Sequence, residues 1–309
     1  MAILTAKANE DKPLVGIILM LFAFFSFSLI DVNAKWLAVL GLPALQLAFM
    51  RYLGHFLISF GLIVRGGAEL SRFGTDHWFL VILRGFLLMM STVFNFISVQ
   101  YLPLTLTSTI LFSAPIMICA LSWPLLGERV GIWRWTAIMV GFCGILVAIR
   151  PFDDEFHWAV LLSLSGAFCF ALYSLLTRKL SGVVASDTMQ FYSGLVGTAA
   201  LLPIAVVLWE NPATTFQWAQ MICLGFFGWV GHEFLTRAHG FAPASMLTPY
   251  GYTFIIYMTI WSMLVFDHTP DFWTIIGALI VVGAGLIIWF RELKRAKEPL
   301  EQEPLNAPS

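Results

Sequence analysis

Residues 228–240 read GWVGHEFLTRAHG, and four ionisable side chains, His232, Glu233, Arg237 and His239, fall within eight residues of an otherwise apolar stretch. HEFLT opens like the helix of a zinc protease, in which two histidines one turn apart hold a metal. The fifth position is Thr236, so no metal pair forms. Glu233 and Arg237 are spaced i,i+4 with the acid first, the favourable order for a helical ion pair. One reading is a cytoplasm-side pair that anchors its helix, with Arg237 snorkelling to the surface. The other is that Glu233 and His232 line a pathway and hold a substrate or a coupling proton. A charge at mid-bilayer costs roughly 2.5–3.5 kcal/mol, which pairing or a wet cavity must offset.

Other polar residues punctuate apolar runs one at a time. Arg51 and His55 are one turn apart, and Arg84, Asn95 and Gln100 lie along a second run. Phe24, Ser28 and Asp31 are spaced i, i+4, i+7, as are Phe170, Ser174 and Thr177, with Tyr173 beside the second set. By its place in the run, Asp31 is expected at the outer interface. Tyr250, Phe254, Tyr257 and Trp261 recur at helical spacing just after Thr248-Pro249, as a packing stripe or as faces that would stack on a flat heterocycle. Arg51 reads as a brace that bonds carbonyls or ties elements together, or as a substrate contact. An enzyme would gather an acid/base or metal constellation at one face. None is gathered here, and no phosphate-binding loop is present, so neither an enzyme nor a cofactor is expected.

The elements that position these residues are membrane spans. The chain is 59% hydrophobic and 11% charged over 309 residues, against about 25% charged in soluble domains. Its net charge of −1 gives no basic field for nucleic acid. The four cysteines sit apart in apolar runs and read as buried thiols. At about 20 apolar residues per crossing, ten spans follow: 14–33, 43–64, 77–101, 103–126, 131–149, 157–178, 187–208, 217–239, 241–266 and 271–290. With the N-terminus inside, thirteen lysines and arginines fall on the cytoplasmic side against Lys35 and Arg150 outside, which places both termini in the cytoplasm. Residues 1–13 form an N-terminal tail, and 292–309, basic and then acidic with prolines, a disordered one.

The two halves, 14–150 and 151–291, repeat. Shifted by 144, Ala23-Phe24 falls on Ala167-Phe168, Lys35 on Lys179 and Gln46 on Gln190. Shifted by 140, Pro103 falls on Pro243, and shifted by 141, Ala137, Gly144 and Arg150 fall on Ala278, Gly285 and Arg291. Five spans per copy is odd, so the second copy is inverted, the signature of a secondary transporter with its site near midplane where the halves meet. Ser113-Ala114-Pro115 and Thr248-Pro249 interrupt matching spans and point to that site.

MRY in the second span, SAP and LLGERVGIWRWTAIMVGFCGILVAIRP in the first half, and HEFLTRAHGFAPASMLTPYGYT and FDHTPDFWTIIGALIVVGAGLIIWFRE in the second carry a resemblance. The chain resembles the drug/metabolite transporter superfamily, EamA type, and within it the branch that includes bacterial riboflavin and S-adenosylmethionine transporters. The resemblance implies an all-α integral membrane protein of the bacterial inner membrane, with ten helices in two inverted five-helix repeats. It also implies a cavity-lining third span, making Arg84 a candidate for substrate contact, and a peripheral second span with an arginine usual at Arg51. Where the second half of the family has a Gly-acid pair, this chain has Asp267-His268, so the repeat partner of Gly127-Glu128 is altered. Glu128 itself is expected to cap the fifth span.

The function expected is alternating-access transport of a small organic metabolite. Riboflavin uptake is the first expectation, and S-adenosylmethionine or amino-acid traffic in either direction the second. Candidate substrate contacts are Glu233, His232, Arg84, Asn95, Tyr173, Ser174, Tyr250, Phe254 and Tyr257. Structural or gating candidates are Arg51, Pro115, Pro249, Arg237 and Glu128. Partners are the substrate, the bilayer and, at Glu233 and His232, a proton. Oligomeric state is not encoded in any of these patterns.

Overall fold

Each apolar run becomes a helix in the computed structural model, which describes residues 13–65, 74–126, 132–150, 156–180, 183–241 and 247–297. The helices are α1 (Pro13–Val39), α2 (Ala44–Arg65), α3 (Trp78–Tyr101), α4 (Leu104–Leu111), α5 (Ala114–Leu126), α6 (Ile132–Ile149), α7 (Ala159–Leu180), α8 (Ser186–Val207), α9 (Thr215–Phe241), α10 (Thr253–Phe266) and α11 (Phe272–Lys297). A 3₁₀ turn, Thr248–Tyr252, precedes α10. Five of these helices are long and apolar enough to cross a bilayer outright, and four shorter apolar stretches accompany them. The fourth expected span is the α4–α5 pair, and the ninth is the 3₁₀ turn with α10; with α9, which is in neither group, the described residues form ten helical segments.

Large apolar side chains face outward along the helices, among them Phe22, Leu57, Phe79, Phe86, Phe142, Ile222, Leu264 and Leu279. In water such a surface would aggregate; here it is the lipid-facing wall. Trp78, Trp158 and Trp273 at helix ends are also exposed, as an interfacial aromatic belt requires.

The halves pack as the repeat predicts. α1 lies on α9 as α7 lies on α3, and α2 on α9 as α8 on α3. α10 meets α1 as α4 and α5 meet α7, while α2 pairs with α8 and α6 with α11 across the middle. Small residues set the closest crossings. A Cβ built on Gly54 of α2 would lie 2.7 Å from the Gly225 Cα of α9, and one on Gly277 of α11 2.6 Å from the Gly144 carbonyl of α6.

Both interruptions have a local cause. A proline cannot donate to the carbonyl one turn back, and Pro115 and Pro249 stand at the starts of α5 and the 3₁₀ turn. Ser113 Oγ donates to the Ile110 carbonyl at 2.6 Å, and Thr253 Oγ1 to the Tyr250 carbonyl at 2.6 Å. Each hydroxyl adds a second hydrogen bond to a carbonyl at the break that already accepts a backbone N–H.

Some expectations are corrected. α1 runs on to Val39, six residues past the expected end, and α11 continues through RELKRAK, so 292–297 are helical. The lysines, glutamate and alanine there are strong helix formers that extend a helix already nucleated; 298–309 lie outside the described residues. Cys143 is exposed on the outer wall and Cys169 and Cys223 are half-buried, all as free thiols, because apolar runs here face lipid as often as core. Asp267 (φ 51) closes α10 in the left-handed conformation, which aspartate tolerates better than most residues.

At the start of α11, Asp271 Oδ1 accepts from the N–H groups of Trp273 and Thr274, Oδ2 accepts from Thr274 Oγ1, and Arg150 Nη2 approaches at 3.8 Å. Partial burial works against its charge, but Thr274, Arg150 and Trp273 outweigh it and hold the carboxyl below its ordinary range. A depressed value in the folded state means stability present above the unfolded value and lost as pH falls through the folded one. Asp271→Asn should therefore flatten the fall in Tm as pH drops below about 4. The group is largely exposed, so the difference should stay under about 1 kcal/mol.

Candidate functional site

One stripe of α1 carries Phe24, Phe27, Ser28 and Asp31 into the middle of the bundle. Phe24 meets Phe254 of α10 with ring centroids 6.2 Å apart, and Phe27 edge-on at 5.9 Å. Phe27 meets His232 of α9 at 5.1 Å, and His232 meets His55 of α2 at 5.7 Å. Trp261 of α10 donates from Nε1 to Ser28 Oγ at 3.0 Å. A chain of rings thus runs from α10, beyond the break of the second half, to the centre of α2. Phe27 fits only because α9 has glycine opposite: a Cβ on Gly231 would lie 2.5 Å from its ring.

Polar groups continue from this wall. Asp31 Oδ1 accepts from Asn95 Nδ2 of α3 at 3.0 Å. Asp31 is buried rather than set at the outer interface, because α1 extends a further two turns beyond it. Arg51 Nη1 donates to Thr92 Oγ1 at 2.8 Å and its guanidinium lies 4.9 Å over the Tyr52 ring. The Tyr52 and Thr92 hydroxyls are 2.8 Å apart. Asn95 and Thr92, the partners of Asp31 and Arg51, are one turn apart on α3, and His55 follows Arg51 by one turn of α2. His55 Nε2 is buried with no hydrogen-bond partner among the described residues.

Arg84 of α3 forms a second centre. Nε donates to Thr177 Oγ1 at 2.7 Å, Nη1 to Ser193 Oγ at 2.8 Å and to the Met189 carbonyl at 3.1 Å, and Nη2 to Tyr173 OH at 2.8 Å. The guanidinium also stacks 4.5 Å over the Tyr173 ring. One first-half residue therefore holds α7 and α8 of the second half, and most of its donors are occupied by protein.

The remaining sequence candidates are dispersed. Glu233 Oε1 accepts from Arg237 Nε at 2.7 Å, with the side chains 33% and 65% exposed, away from the ring chain. Tyr250 packs on Met20, Ala238 and Leu247, and Tyr257 on Phe25 at 5.5 Å. Ser174 donates to its own helix at the Phe170 carbonyl. Glu128 lies outside the described residues. Thr92, Ser193 and Gln46 were not singled out as site residues, although a lone hydroxyl or amide in an apolar helix is the available signal.

At the end where α1 finishes, a further set of contacts ties the halves. Gln46 donates to and accepts from the Glu210 backbone (2.8 and 2.9 Å), Ser98 Oγ donates to the Ala159 carbonyl (3.1 Å), and Thr105 and Thr259 are 3.4 Å apart. The Arg150–Asp271 contact belongs to the same end.

The model of the EamA-like transporter family matches residues 14–150 and 157–290, one match for each half. The chain belongs to the EamA-like transporter family. It is 28% identical over 289 residues to the S-adenosylmethionine uptake transporter of Rickettsia prowazekii, covering 93% of this chain and 97% of that one. It is 27% identical to the riboflavin transporter of Rhizobium johnstonii (96% and 98% covered). It is 28% identical to the pseudopaline exporter CntI of Pseudomonas aeruginosa (88% and 95% covered). As an EamA-like protein it is a multi-pass membrane transporter.

Proposed function

We propose that this protein carries a metabolite with a flat heterocyclic ring, by alternating access at a site between the repeats. The observation that carries this reading is the unbroken chain of rings from Phe254 through Phe24, Phe27 and His232 to His55. Stacking on such faces contributes about 0.5–1.5 kcal/mol per pair beyond burial. S-adenosylmethionine is the first candidate, since an adenine ring suits the wall and a charged tail suits the buried Asp31 and Arg51 beside it. Riboflavin, the first expectation from sequence, is the second candidate, favoured by the aromatic wall alone.

Both termini are taken as cytoplasmic on the distribution of lysine and arginine. The end tied by Gln46, Ser98, Thr105 and Arg150 then faces outward, and the conformation described is closed on that side. Opening requires those ties to part while the halves rock about the glycine crossings. Asn95 holds Asp31 in place, Phe254 and His232 contact the ring, and Arg84, with Tyr173, acts as a brace between halves. Pro115 and Pro249 leave the backbone unwound where the wall bends.

Glu233 and Arg237 anchor α9 at the cytoplasmic side on this account. Glu233→Gln should leave transport intact and shift stability by no more than about 0.5 kcal/mol, as for an exposed i,i+4 pair. A fall in transport at unchanged membrane abundance would move Glu233 into the pathway.

Cells expressing the protein, given labelled S-adenosylmethionine or labelled riboflavin with each as competitor of the other, test the reading. Saturable accumulation of the first, resistant to the second, is the expected result. Accumulation of riboflavin alone would reverse the order of the candidates, and accumulation of neither, with the protein in the membrane, would sink both as imported substrates.

A further inference from the structure

Asp31 and Arg51 present an unsolved electrostatic problem. Both are buried, and their partners Asn95 and Thr92 lie one turn apart on α3. Yet among the described residues the ion pairs are Arg150–Asp271 and Arg237–Glu233, so Asp31 and Arg51 do not close into contact. Opposite charges buried without touching incur most of the desolvation cost and recover little of the attraction. The neutral partners present do not make up the difference. A guanidinium has five donors, and Arg51 is met by the Thr92 hydroxyl and the Tyr52 ring. Among the described residues Asp31 receives one hydrogen bond, at Oδ1, from Asn95. One turn along α2, the buried His55 Nε2 is also without a partner among the described residues.

A ligand group that carries a cation and an anion two bonds apart would resolve all three. We propose that Asp31, Arg51 and His55 form a subsite for the α-amino-acid group of the substrate, its carboxylate against Arg51 and His55 and its ammonium against Asp31. Planar, bidentate binding of carboxylate is what arginine does better than lysine. The subsite adjoins the ring chain at His55, so one ligand with a ring and an amino-acid tail spans both. The inference rests on the ring-carrying reading above and narrows it: riboflavin has no such group, whereas S-adenosylmethionine does.

The test is ligand-induced thermal shift of the purified full-length protein in detergent, which does not depend on transport. The probes are S-adenosylmethionine, its decarboxylated form, 5′-methylthioadenosine, riboflavin, L-methionine and methioninol. Loss of a charge-assisted pair should weaken binding about 10- to 100-fold. S-adenosylmethionine should thus outbind its decarboxylated form by that factor, L-methionine should stabilise where methioninol does not, and Arg51→Lys should shrink the first difference to within about threefold. Equal binding of the carboxylate-bearing and carboxylate-free members of each pair in the wild type overturns the subsite, whatever the variant does. Stabilisation by riboflavin and methylthioadenosine alone would overturn the subsite and leave the ring reading standing. Stabilisation by L-methionine but by neither ring compound would support the subsite and remove the ring reading.

Discussion

Replacing Gly54 by valine is expected to deprive the membrane of most of the folded protein. A Cβ on Gly54 would lie 2.7 Å from the Gly225 Cα, and one on Gly225 2.5 Å from the Gly54 Cα. Both obstacles are backbone, so no rotamer change relieves them and α2 and α9 must separate. Overpacking typically costs 1–3 kcal/mol, and with two rigid helices in contact the cost should sit at or above about 3 kcal/mol. The same crossing positions Arg51 and His55 opposite His232, so any surviving protein should also lose binding. Gly283→Ala is the matched control, because a Cβ there meets nothing within 4 Å. It should hold or raise Tm, as Ala is favoured over Gly in a helix interior. Size-exclusion profiles and melting curves of the two variants give the comparison. Equal Tm for wild type and Gly54→Val would show that the crossing is looser than described.

Arg84→Lys should destabilise more than Arg84→Leu, against the usual ranking of conservative changes. The guanidinium makes four hydrogen bonds, to Thr177, Ser193, Met189 and Tyr173, and every acceptor is neutral. Lysine keeps the buried charge and its desolvation cost but replaces a rigid fork by a single ammonium. Losing at least two bonds to a charged donor, at about 1.5–3 kcal/mol each, predicts a loss on the order of 3 kcal/mol. Leucine gives up the same bonds but also removes the charge, and buried charges replaced by apolar groups are often nearly neutral. Thr177 and Ser193 then keep the bonds they already make to the Tyr173 and Met189 carbonyls. Tyr173 loses its Arg84 partner. Both variants should slow transport, since the tie between α3 and α7–α8 is gone. Chemical denaturation in mixed micelles would rank them, and a leucine variant less stable than the lysine one would contradict this role for Arg84.

The architecture was legible because it follows from local quantities. Span length and the paired prolines each depend on residues near one another in the chain, and the helix bounds follow them closely. The end of α1 was misjudged because Val32 to Val39 includes Asn33 and Lys35, which a hydropathy rule reads as an exit. In the structure Lys35 Nζ reaches the Leu102 carbonyl at 2.6 Å and the helix continues. The site was less legible, since which side of a helix faces a neighbour is decided by crossings between distant spans. Glu233 and Arg237 stand out in the sequence for their charge density, yet they satisfy one another near the surface. Asp31 and Arg51 are 20 positions apart and reach neighbouring partners on α3, Asn95 and Thr92, only because α1 and α2 are both packed on α9. Arg84 stood out only as a candidate substrate contact through the family resemblance, because its actual partners lie 89 to 109 residues away.

Counterflow in proteoliposomes tests the central claim most directly. Purified protein would be reconstituted into vesicles loaded with unlabelled S-adenosylmethionine and diluted into a trace of the labelled compound. An alternating-access carrier for this substrate predicts transient accumulation of label above the external concentration, absent from empty vesicles. Label that only equilibrates would indicate a passive pore, and label that stays outside vesicles containing correctly folded protein would contradict the assignment of this substrate to the site between the repeats.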